Sequence, residues 1–201
     1  MKKFIILFFV IIAGCGYIRV YYSYTPQLSR WPRVYNYKFY LGEFTEIMDS
    51  VYGELNLVGT ENPVRNLFHI EPRDFLRLAI EKELKNSEFA QVSRRRKGSD
   101  YIVRGVLKKF YIKFLIHKIP QQPNGIEYKF NSFGEITADI YLYQNDRLLY
   151  TIRAKSHLQD KGEMFMWGHW EDIVKDELDR MLRPLIFTVL DSIDNFLARR
   201  E

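Results

Sequence analysis

Three long segments between residues 100 and 157 constrain the fold of this chain most strongly. Residues 100–115 are rich in β-branched and aromatic side chains, which favour strands. Apolar and polar side chains alternate along residues 126–144 and again along residues 147–157. The polar stretch Q-N-D at 144–146 between these two segments is typical of a hairpin turn. The sequence therefore predicts a mostly antiparallel sheet.

Two helices are predicted to flank this sheet. Over residues 72–86, apolar side chains repeat at every fourth position, and Pro72 suits the first helical turn. Residues 170–198 carry an apolar stripe at helical spacing. Pro184 is expected to kink this second helix or to split it in two.

Shorter strands complete the predicted fold. They are expected at residues 34–44 and 89–93, with a long loop over residues 49–69 that has room for a short strand at 54–58. The order is then β-α-β-β-β-β-α. We expect an α+β fold, a two-layer sandwich whose four- to five-stranded, mostly antiparallel sheet is covered on one face by two helices.

The first fourteen residues have the features of a secretory signal. Lys2 and Lys3 form a positive head, and residues 4–13 are an uninterrupted apolar run. This run of ten residues is too short to cross a bilayer, which needs about 20 residues. Residues 1–14 are therefore predicted to be a signal peptide. The alternative is an uncleaved anchor followed by a chance cysteine.

The stretch Ile12-Ala13-Gly14-Cys15 resembles the lipobox of bacterial lipoproteins. In such signals a diacylglyceryl group is attached to the cysteine thiol, the chain is cut just before the cysteine, and the new amino terminus is acylated. The resemblance implies cleavage between Gly14 and Cys15. It implies no cofactor beyond the diacylglycerol and the N-acyl chain, such as palmitate, on Cys15. Several acyl chains together hold a protein firmly to a membrane.

The remainder of the chain divides into two parts. Residues 15–33 are predicted to be the lipidated cysteine and a tether, because Pro26 and Pro32 break regular structure, and its tyrosines are expected to hold part of it against the domain or the membrane. Residues 34–201 have the size of one periplasmic α+β domain. Removing residues 1–14 would lower the formal net charge from +5 to +3, too weak an excess to indicate nucleic-acid binding.

The sequence contains few signatures of chemistry. It has no P-loop, nucleophile elbow or HExxH motif, and Cys15 is its only cysteine, so no enzyme activity or metal site is expected. The histidines are interpreted as surface or strand-end residues: His69, His117, His157 and His169. Three acidic residues share helical spacing and are interpreted as a solvated helix face rather than a cation site: Asp172, Asp176 and Asp179.

A run of four cations precedes the predicted strand at residue 100. One interpretation is contact with anionic lipid headgroups, lipopolysaccharide phosphates or an acidic partner. The other is a solvated turn that prevents strand edges from pairing. The run comprises Arg94, Arg95, Arg96 and Lys97.

A cluster of large apolar side chains lies between the last strand and the last helix. It could cap the core, with Trp170 packed at the start of the helix, or it could contact a partner protein or membrane lipid. The cluster comprises Met164, Phe165, Met166, Trp167 and Trp170.

The chain resembles the PqiC-like auxiliary lipoproteins of ABC-type transport systems, and it is similar to YajG-type and LptE-type lipoproteins. The resemblance rests on the lipobox cysteine, Y-Y-S-Y at 21–24, the helix at 74–84 with F-A-Q-V at 89–92, the strand at 99–110, and the final strand pair and helix.

This resemblance implies a non-catalytic, lipid-anchored periplasmic protein that docks on an envelope transport or assembly protein. Gly16 follows the cysteine where an aspartate would favour retention in the inner membrane, so the resemblance places the protein on the periplasmic face of the outer membrane. The alternative function is direct binding or carriage of lipid or lipopolysaccharide, in a groove between helix and sheet.

Overall fold

A sheet built around one long strand forms the centre of the molecule. The computed structural model describes residues 20–27, 31–47, 53–57, 64–65, 67–119, 128–158, 163–165 and 170–200. The strands are β1 (Lys38–Glu46), β2 (Glu54–Leu57), β3 (Val64–Arg65), β4 (Gln91–Ser93), β5 (Tyr101–Lys118), β6 (Tyr128–Gln144), β7 (Arg147–Leu158) and β8 (Glu163–Phe165). The helices are α1 (Pro72–Asn86) and α2 (Trp170–Ala198).

One side of the sheet is antiparallel, as predicted. Strand β6 pairs with β5 along nearly the whole length of both, and β7 and β8 pair with different stretches of β6. The β6–β7 turn places Asn145 at φ 50° and Asp146 at φ 61°. Asn and Asp adopt this left-handed conformation more readily than most residues, which explains why the chain reverses here.

The other side of the sheet is parallel, so the sheet is mixed, with most of its paired residues in the predicted antiparallel arrangement. Strand β1 pairs in parallel with the first half of β5, and β2 pairs in parallel with the second half. Strand β4 lies outside β1, also in parallel. The chain between β1 and β4 includes α1, and a helical crossover joins parallel strands, which accounts for the parallel pairing of β1 with β4. Alternation of side chains carries no information about this direction.

The predicted α+β class is confirmed. In its first half the described sheet runs β4-β1-β5-β6-β7, and in its second half β3-β2-β5-β6-β8. Each half is thus five strands wide, the upper end of the predicted range.

The two helices pack on the same face of the sheet and form the core with it. Helix α1 contacts β1, β4 and β5, whereas α2 contacts β6 and β7. Both helices have the predicted bounds. The apolar stripe of α2 is buried, as expected, at Leu178, Met181, Leu182, Leu185, Val189 and Ile193.

Of the two outcomes predicted at Pro184, a kink or a split of the second helix, the split is wrong and the kink stays a prediction. Helix α2 continues through Pro184, which lies on its exposed side. Proline removes one backbone hydrogen bond, and at an exposed position water can satisfy the carbonyl that loses its partner. None of the described helices is long and apolar enough to cross a membrane.

The segment before β1 lies along the helical layer. Val20 forms a parallel bridge with Phe68, and farther along the backbone N–H groups of Trp31 and Tyr35 donate to carbonyls that follow α1. The described part of the predicted tether, residues 20–27 and 31–33, thus lies against the domain. Residues 15–19 and 28–30 lie outside the described residues.

Candidate functional site

The N-terminal segment is bound to the domain by alternating side chains. We call residues 20–27 and 31–37 the anchor strap. Val20, Tyr22 and Tyr24 are buried, whereas Tyr21 between them is 74% exposed. This alternation is expected of an extended chain, because successive side chains point to opposite sides. The Y-Y-S-Y sequence therefore directs two of its three tyrosines into the core.

Three buried tyrosines of the strap donate hydrogen bonds to carboxylates on the two helices. Tyr22 donates to Asp179 of α2. The Tyr24 hydroxyl lies 2.7 Å from Oε1 of Glu83 in α1, and the Tyr35 hydroxyl lies 2.6 Å from Oδ1 of Asp194 in α2. A hydrogen bond to a charged acceptor is stronger than one between neutral groups. The strap is thus attached to both helices by charge-assisted contacts.

Neighbouring groups complete these contacts. The backbone N–H of Gln27 lies 2.9 Å from the same Glu83 oxygen, and the backbone of Thr25 donates to Asp179. Arg183 pairs with Asp179 at 3.1 Å across one turn of α2. The buried carboxylates therefore have several donors each, as buried charges require.

Burial changes the titration of these groups. Desolvation, reinforced by the hydrogen bond to the carboxylate, raises the pKa of both Tyr22 and Tyr24 above the ordinary tyrosine value. The same two causes raise the pKa of Tyr35 to about 12. Desolvation also raises the pKa of Asp179. All three hydroxyls consequently keep their protons, and remain donors, at neutral pH.

The position of Asp179 corrects one sequence prediction. Asp172 and Asp176 are exposed, as expected of a solvated helix face, but Asp179 is buried against the strap. Sequence reasoning missed all three tyrosine–carboxylate pairs. The signal that could have found them is an acidic residue inside an apolar helical stripe, such as Glu83 beside Leu84.

The first residue of the strap, Val20, is close in sequence to the predicted lipidation site. Cys15 and Gly14 lie outside the described residues, and Cys15 precedes Val20 by five positions. Five extended residues span at most about 18 Å. Whatever path these residues take, the Cys15 backbone lies within that distance of Val20, which contacts the residues preceding α1.

The predicted cationic run forms an exposed loop between β4 and β5. Arg94, Arg95, Arg96 and Lys97 are all exposed. Arg96 pairs with Asp146 in the β6–β7 turn. The loop directly follows β4, the outermost strand of its half of the sheet. This position agrees with both interpretations of the run, edge protection and contact with an anionic partner.

The predicted apolar cluster is only partly described. Met164 and Phe165 belong to β8, which pairs with the start of β6, and Trp170 begins α2. Met166 and Trp167 lie outside the described residues. The two roles considered for this cluster therefore stay predictions.

The described histidines lie apart from one another. The Nδ1 atom of His69 lies 3.1 Å from the carbonyl oxygen of Val20 and helps to hold the strap. His117 and His157 lie on β5 and β7, and His169 is outside the described residues. Within the part of the chain that the structure describes, no three His, Cys, Asp or Glu side chains converge as metal ligands would.

The sheet face opposite the helices carries pairs of charges. Glu135 on β6 bonds Lys109 on β5 at 2.7 Å and Lys155 on β7 at 3.2 Å. The hydrogen bond from Lys109 is the main cause that lowers the pKa of Glu135 to about 2. On the same face Lys108 pairs with Asp139. These cross-strand pairs are what a wet sheet surface is expected to show.

A small groove lies where the strap passes between the two helices. It holds about 210 Å³ and is lined by Tyr24, Gln27, Glu83, Arg183, Pro184, Ile186 and Phe187. This volume is below the range of about 300–1,000 Å³ that is usual for sites of drug-sized ligands. The groove therefore offers little room for a lipid.

One solved structure shares the fold of this chain. No family model and no curated protein matches the sequence. A crystal structure of a Xanthomonas campestris protein of the DUF330 family matches with a TM-score of 0.54 and 11% identity, over 87% of this chain and 98% of that protein. At this identity the match shows a shared fold and nothing more.

Two more distant structures also match. A solution structure of uncharacterized lipoprotein B from Nitrosomonas europaea has a TM-score of 0.36 and 12% identity, over 88% of this chain and 92% of that protein. A putative neuraminyllactose-binding hemagglutinin homolog from Helicobacter pylori has a TM-score of 0.37 and 6% identity, over 85% and 90% of the two chains.

Proposed function

We propose that this protein is a lipid-anchored accessory lipoprotein, a non-catalytic partner of an envelope transport or assembly system. The observation that carries the proposal is the short distance between the lipobox cysteine and the packed strap. Because only four residues separate Cys15 from Val20, lipidation of Cys15 would hold the folded domain directly at a membrane surface.

The proposed anchor defines which end of the domain meets the membrane. The strap enters beside Phe68, just before the first turn of α1. We call this the anchor end. From there the strap follows α1 toward Ser87 and reaches β1. The tyrosine–carboxylate pairs would keep the domain from swinging away on a long flexible linker.

Location on the outer membrane is the next part of the proposal. Gly16 stands directly after the lipobox cysteine, where an aspartate would favour inner-membrane retention. The resemblance to PqiC-like lipoproteins supports the same location. It also supports a partner among envelope transport proteins, and the fold shared with the Xanthomonas DUF330 protein is compatible with this class.

Replacement of Cys15 tests the anchor. Cys15→Ala should leave an unprocessed precursor without attached lipid, whereas Ser23→Ala, an exposed change in the strap, should be processed normally. Metabolic labelling with palmitate and fractionation of membranes would measure both effects. Cleavage of the Cys15→Ala protein together with unchanged membrane association would contradict the proposal.

Co-purification tests the accessory role. Gentle solubilisation of the lipidated protein should retain an envelope transport or assembly protein at a constant ratio. A protein that is always isolated alone would count against a partner role.

The lipid-carrier alternative remains a separate prediction. Between the described parts of the helices and the sheet, the space expected for a groove is filled by fully buried side chains, such as Phe39, Phe110 and Phe114. No described feature therefore favours this alternative. Native mass spectrometry would test it, because a carrier should retain bound lipid after purification.

A further inference from the structure

The end of the domain opposite the strap's entry carries a dense group of cations. The loop after β4 supplies four of them, Arg147 follows the β6–β7 turn, and Arg199 and Arg200 follow α2. All of these residues are exposed. We call this set the arginine end: Arg94, Arg95, Arg96, Lys97, Arg147, Arg199 and Arg200.

Contacts between three elements join these cations into one surface. Arg96 pairs with Asp146, which precedes Arg147 in the hairpin turn. The Arg200 guanidinium lies 5.0 Å from the ring centre of Phe196, and it donates a hydrogen bond to Tyr101 at the start of β5. The loop, the hairpin and the end of α2 therefore meet at the first residue of the central strand.

The cationic loop is ordered by its own backbone contacts. The Ser93 hydroxyl accepts from the N–H of Arg95 and donates to the Arg95 carbonyl at 2.7 Å. The Ser99 hydroxyl donates to the Arg96 carbonyl at 2.6 Å. Gly98 takes φ 83°, a conformation that other residues rarely adopt. A pre-organised loop loses less entropy when it binds a partner.

The arginine end lies far from the point where the strap enters. Phe68 at the anchor end contacts Phe110 of β5, whereas the arginine end lies at Tyr101. Tyr101 and Phe110 are nine positions apart along β5, about 30 Å at 3.3 Å per residue. This exceeds the span of about 18 Å available between Cys15 and Val20. The geometry therefore favours a contact away from the anchored membrane.

The composition of this surface favours a protein as the partner. Six of its seven cations are arginines, which bind carboxylates in a bidentate manner and are enriched at protein interfaces. Apolar and aromatic side chains are exposed beside them: Leu148 is 47% and Tyr150 is 38% exposed, and Tyr150 stacks on Phe196. Such anchors are typical of protein contacts.

We propose that the arginine end is a docking surface for an acidic face of a partner protein, held away from the membrane that carries the anchor. This inference rests on the proposed function, because the strap defines the opposite end as the anchor end. The exposed charges steer association, and the aromatic pair contributes contact area.

Two triple variants with the same loss of charge test this surface. The first is Arg94→Ala with Arg95→Ala and Arg147→Ala, and the control changes exposed cations of the uncovered sheet face, Lys129→Ala with Arg153→Ala and Lys155→Ala. The lipidated protein is placed in phosphatidylcholine nanodiscs. Binding of a fluorescent glutamate-rich peptide is then measured at low and physiological salt, and Tyr150→Ala is measured in parallel.

The expected result is a difference between the two triple variants. The first should weaken peptide binding by about fivefold or more, and the control by less than about twofold. Tyr150→Ala should weaken binding without changing its salt dependence. Equal losses in both triple variants would overturn the docking surface. Binding of phosphatidylglycerol vesicles and of inorganic phosphate is measured for the same variants. If the first triple variant weakens binding of either of these but leaves peptide binding unchanged, the docking surface is also overturned, since the end would then be assigned to lipid headgroups or free anions.

The nanodisc separates this proposal from the one on which it rests. If the purified protein does not stay in the nanodisc, the lipid anchor is contradicted. If it stays there but the first triple variant binds the peptide as tightly as the unchanged protein, only the docking surface is contradicted.

Discussion

The anchor strap and the arginine end differ in whether their charged groups are buried or exposed to water. The strap buries the carboxylates Glu83, Asp179 and Asp194 and supplies each with a tyrosine hydroxyl. The arginine end leaves its cations in water, and its described ion pair joins two half-exposed side chains, Arg96 and Asp146. Removing the partner of a buried charge lowers the free energy of unfolding strongly, whereas removing the partner of an exposed charge changes it little. The strap should therefore control stability, and the arginine end should control association.

The largest expected effect comes from removing a buried strap tyrosine. Tyr22→Ala should lower the free energy of unfolding by about 3–5 kcal/mol, because it leaves a cavity and removes one donor from the buried Asp179 carboxylate. Its neighbour provides the control, since Tyr21 is exposed and Tyr21→Ala should cost less than about 1 kcal/mol. Urea unfolding followed by circular dichroism measures both. Equal costs would mean that the strap is not packed.

A smaller change isolates the hydrogen bond from the packing. Tyr24→Phe keeps the ring and removes the hydroxyl that donates to Glu83, and it should cost about 1–3 kcal/mol because a buried acceptor loses a donor. Tyr21→Phe should be nearly neutral in the same unfolding assay. A neutral Tyr24→Phe would show that water replaces the lost donor.

The Glu135 carboxylate on the uncovered sheet face is less buried than the carboxylates of the strap and more buried than Asp146 at the arginine end. Its contribution to the free energy of unfolding should decrease at low pH. The folded-state pKa of Glu135 is about 2, below its ordinary value of 4.5, so its pairing with Lys109 stabilises the fold above pH 4.5. This stabilisation is lost as the pH falls from about 4.5 to about 2. In Glu135→Gln the free energy of unfolding should therefore fall less over that pH range than in the unchanged protein. The difference should be smaller than the cost of Tyr24→Phe.

Unfolding free energies at several pH values between 2 and 7 would measure this change. The exposed Glu43 offers a control position, and Glu43→Gln should leave the profile closer to that of the unchanged protein. An acid sensitivity that Glu135→Gln does not alter would contradict the assigned pairing.

The smallest effect on stability is expected at the arginine end. Arg96→Ala removes the ion pair with Asp146 and should cost no more than about 1 kcal/mol, with a smaller cost at high salt. Thermal unfolding at two salt concentrations measures it. A loss as large as that of Tyr22→Ala would show that this loop supports the fold, and the contrast between the two regions would fail.

The sequence predicted those parts of the fold that local patterns determine. Helices α1 and α2 have the predicted bounds because their apolar stripes are regular, and the β6–β7 turn follows from Asn145 and Asp146. The parallel direction of β1 was not predictable from alternation, because the pattern of faces is the same in both directions. It depends on the crossover through α1.

The candidate site was predicted only in part. The cationic run was recognised as a local motif and forms an exposed loop, whereas the role of Cys15 stays a prediction. The strap contacts join residues far apart in the chain: Tyr22 and Asp179 are 157 positions apart. The tyrosines were predicted only to hold part of the tether against the domain or the membrane. Of their three partners, only Asp179 was considered, and it was assigned to a solvated helix face because acidic residues are usually exposed.

The orientation of the domain on the membrane tests the central claim most directly. Cys15 is the only cysteine, and its thiol is proposed to carry lipid, so a cysteine introduced elsewhere would be the one free thiol for a dye. Glu71→Cys labels the anchor end and Arg95→Cys labels the arginine end, both at exposed positions. Energy transfer from each dye to acceptors in the bilayer of a nanodisc then reports its height. We predict strong transfer from position 71 and much weaker transfer from position 95, whereas equal transfer from both, or the reverse order, would contradict an anchor held close to the domain by the strap.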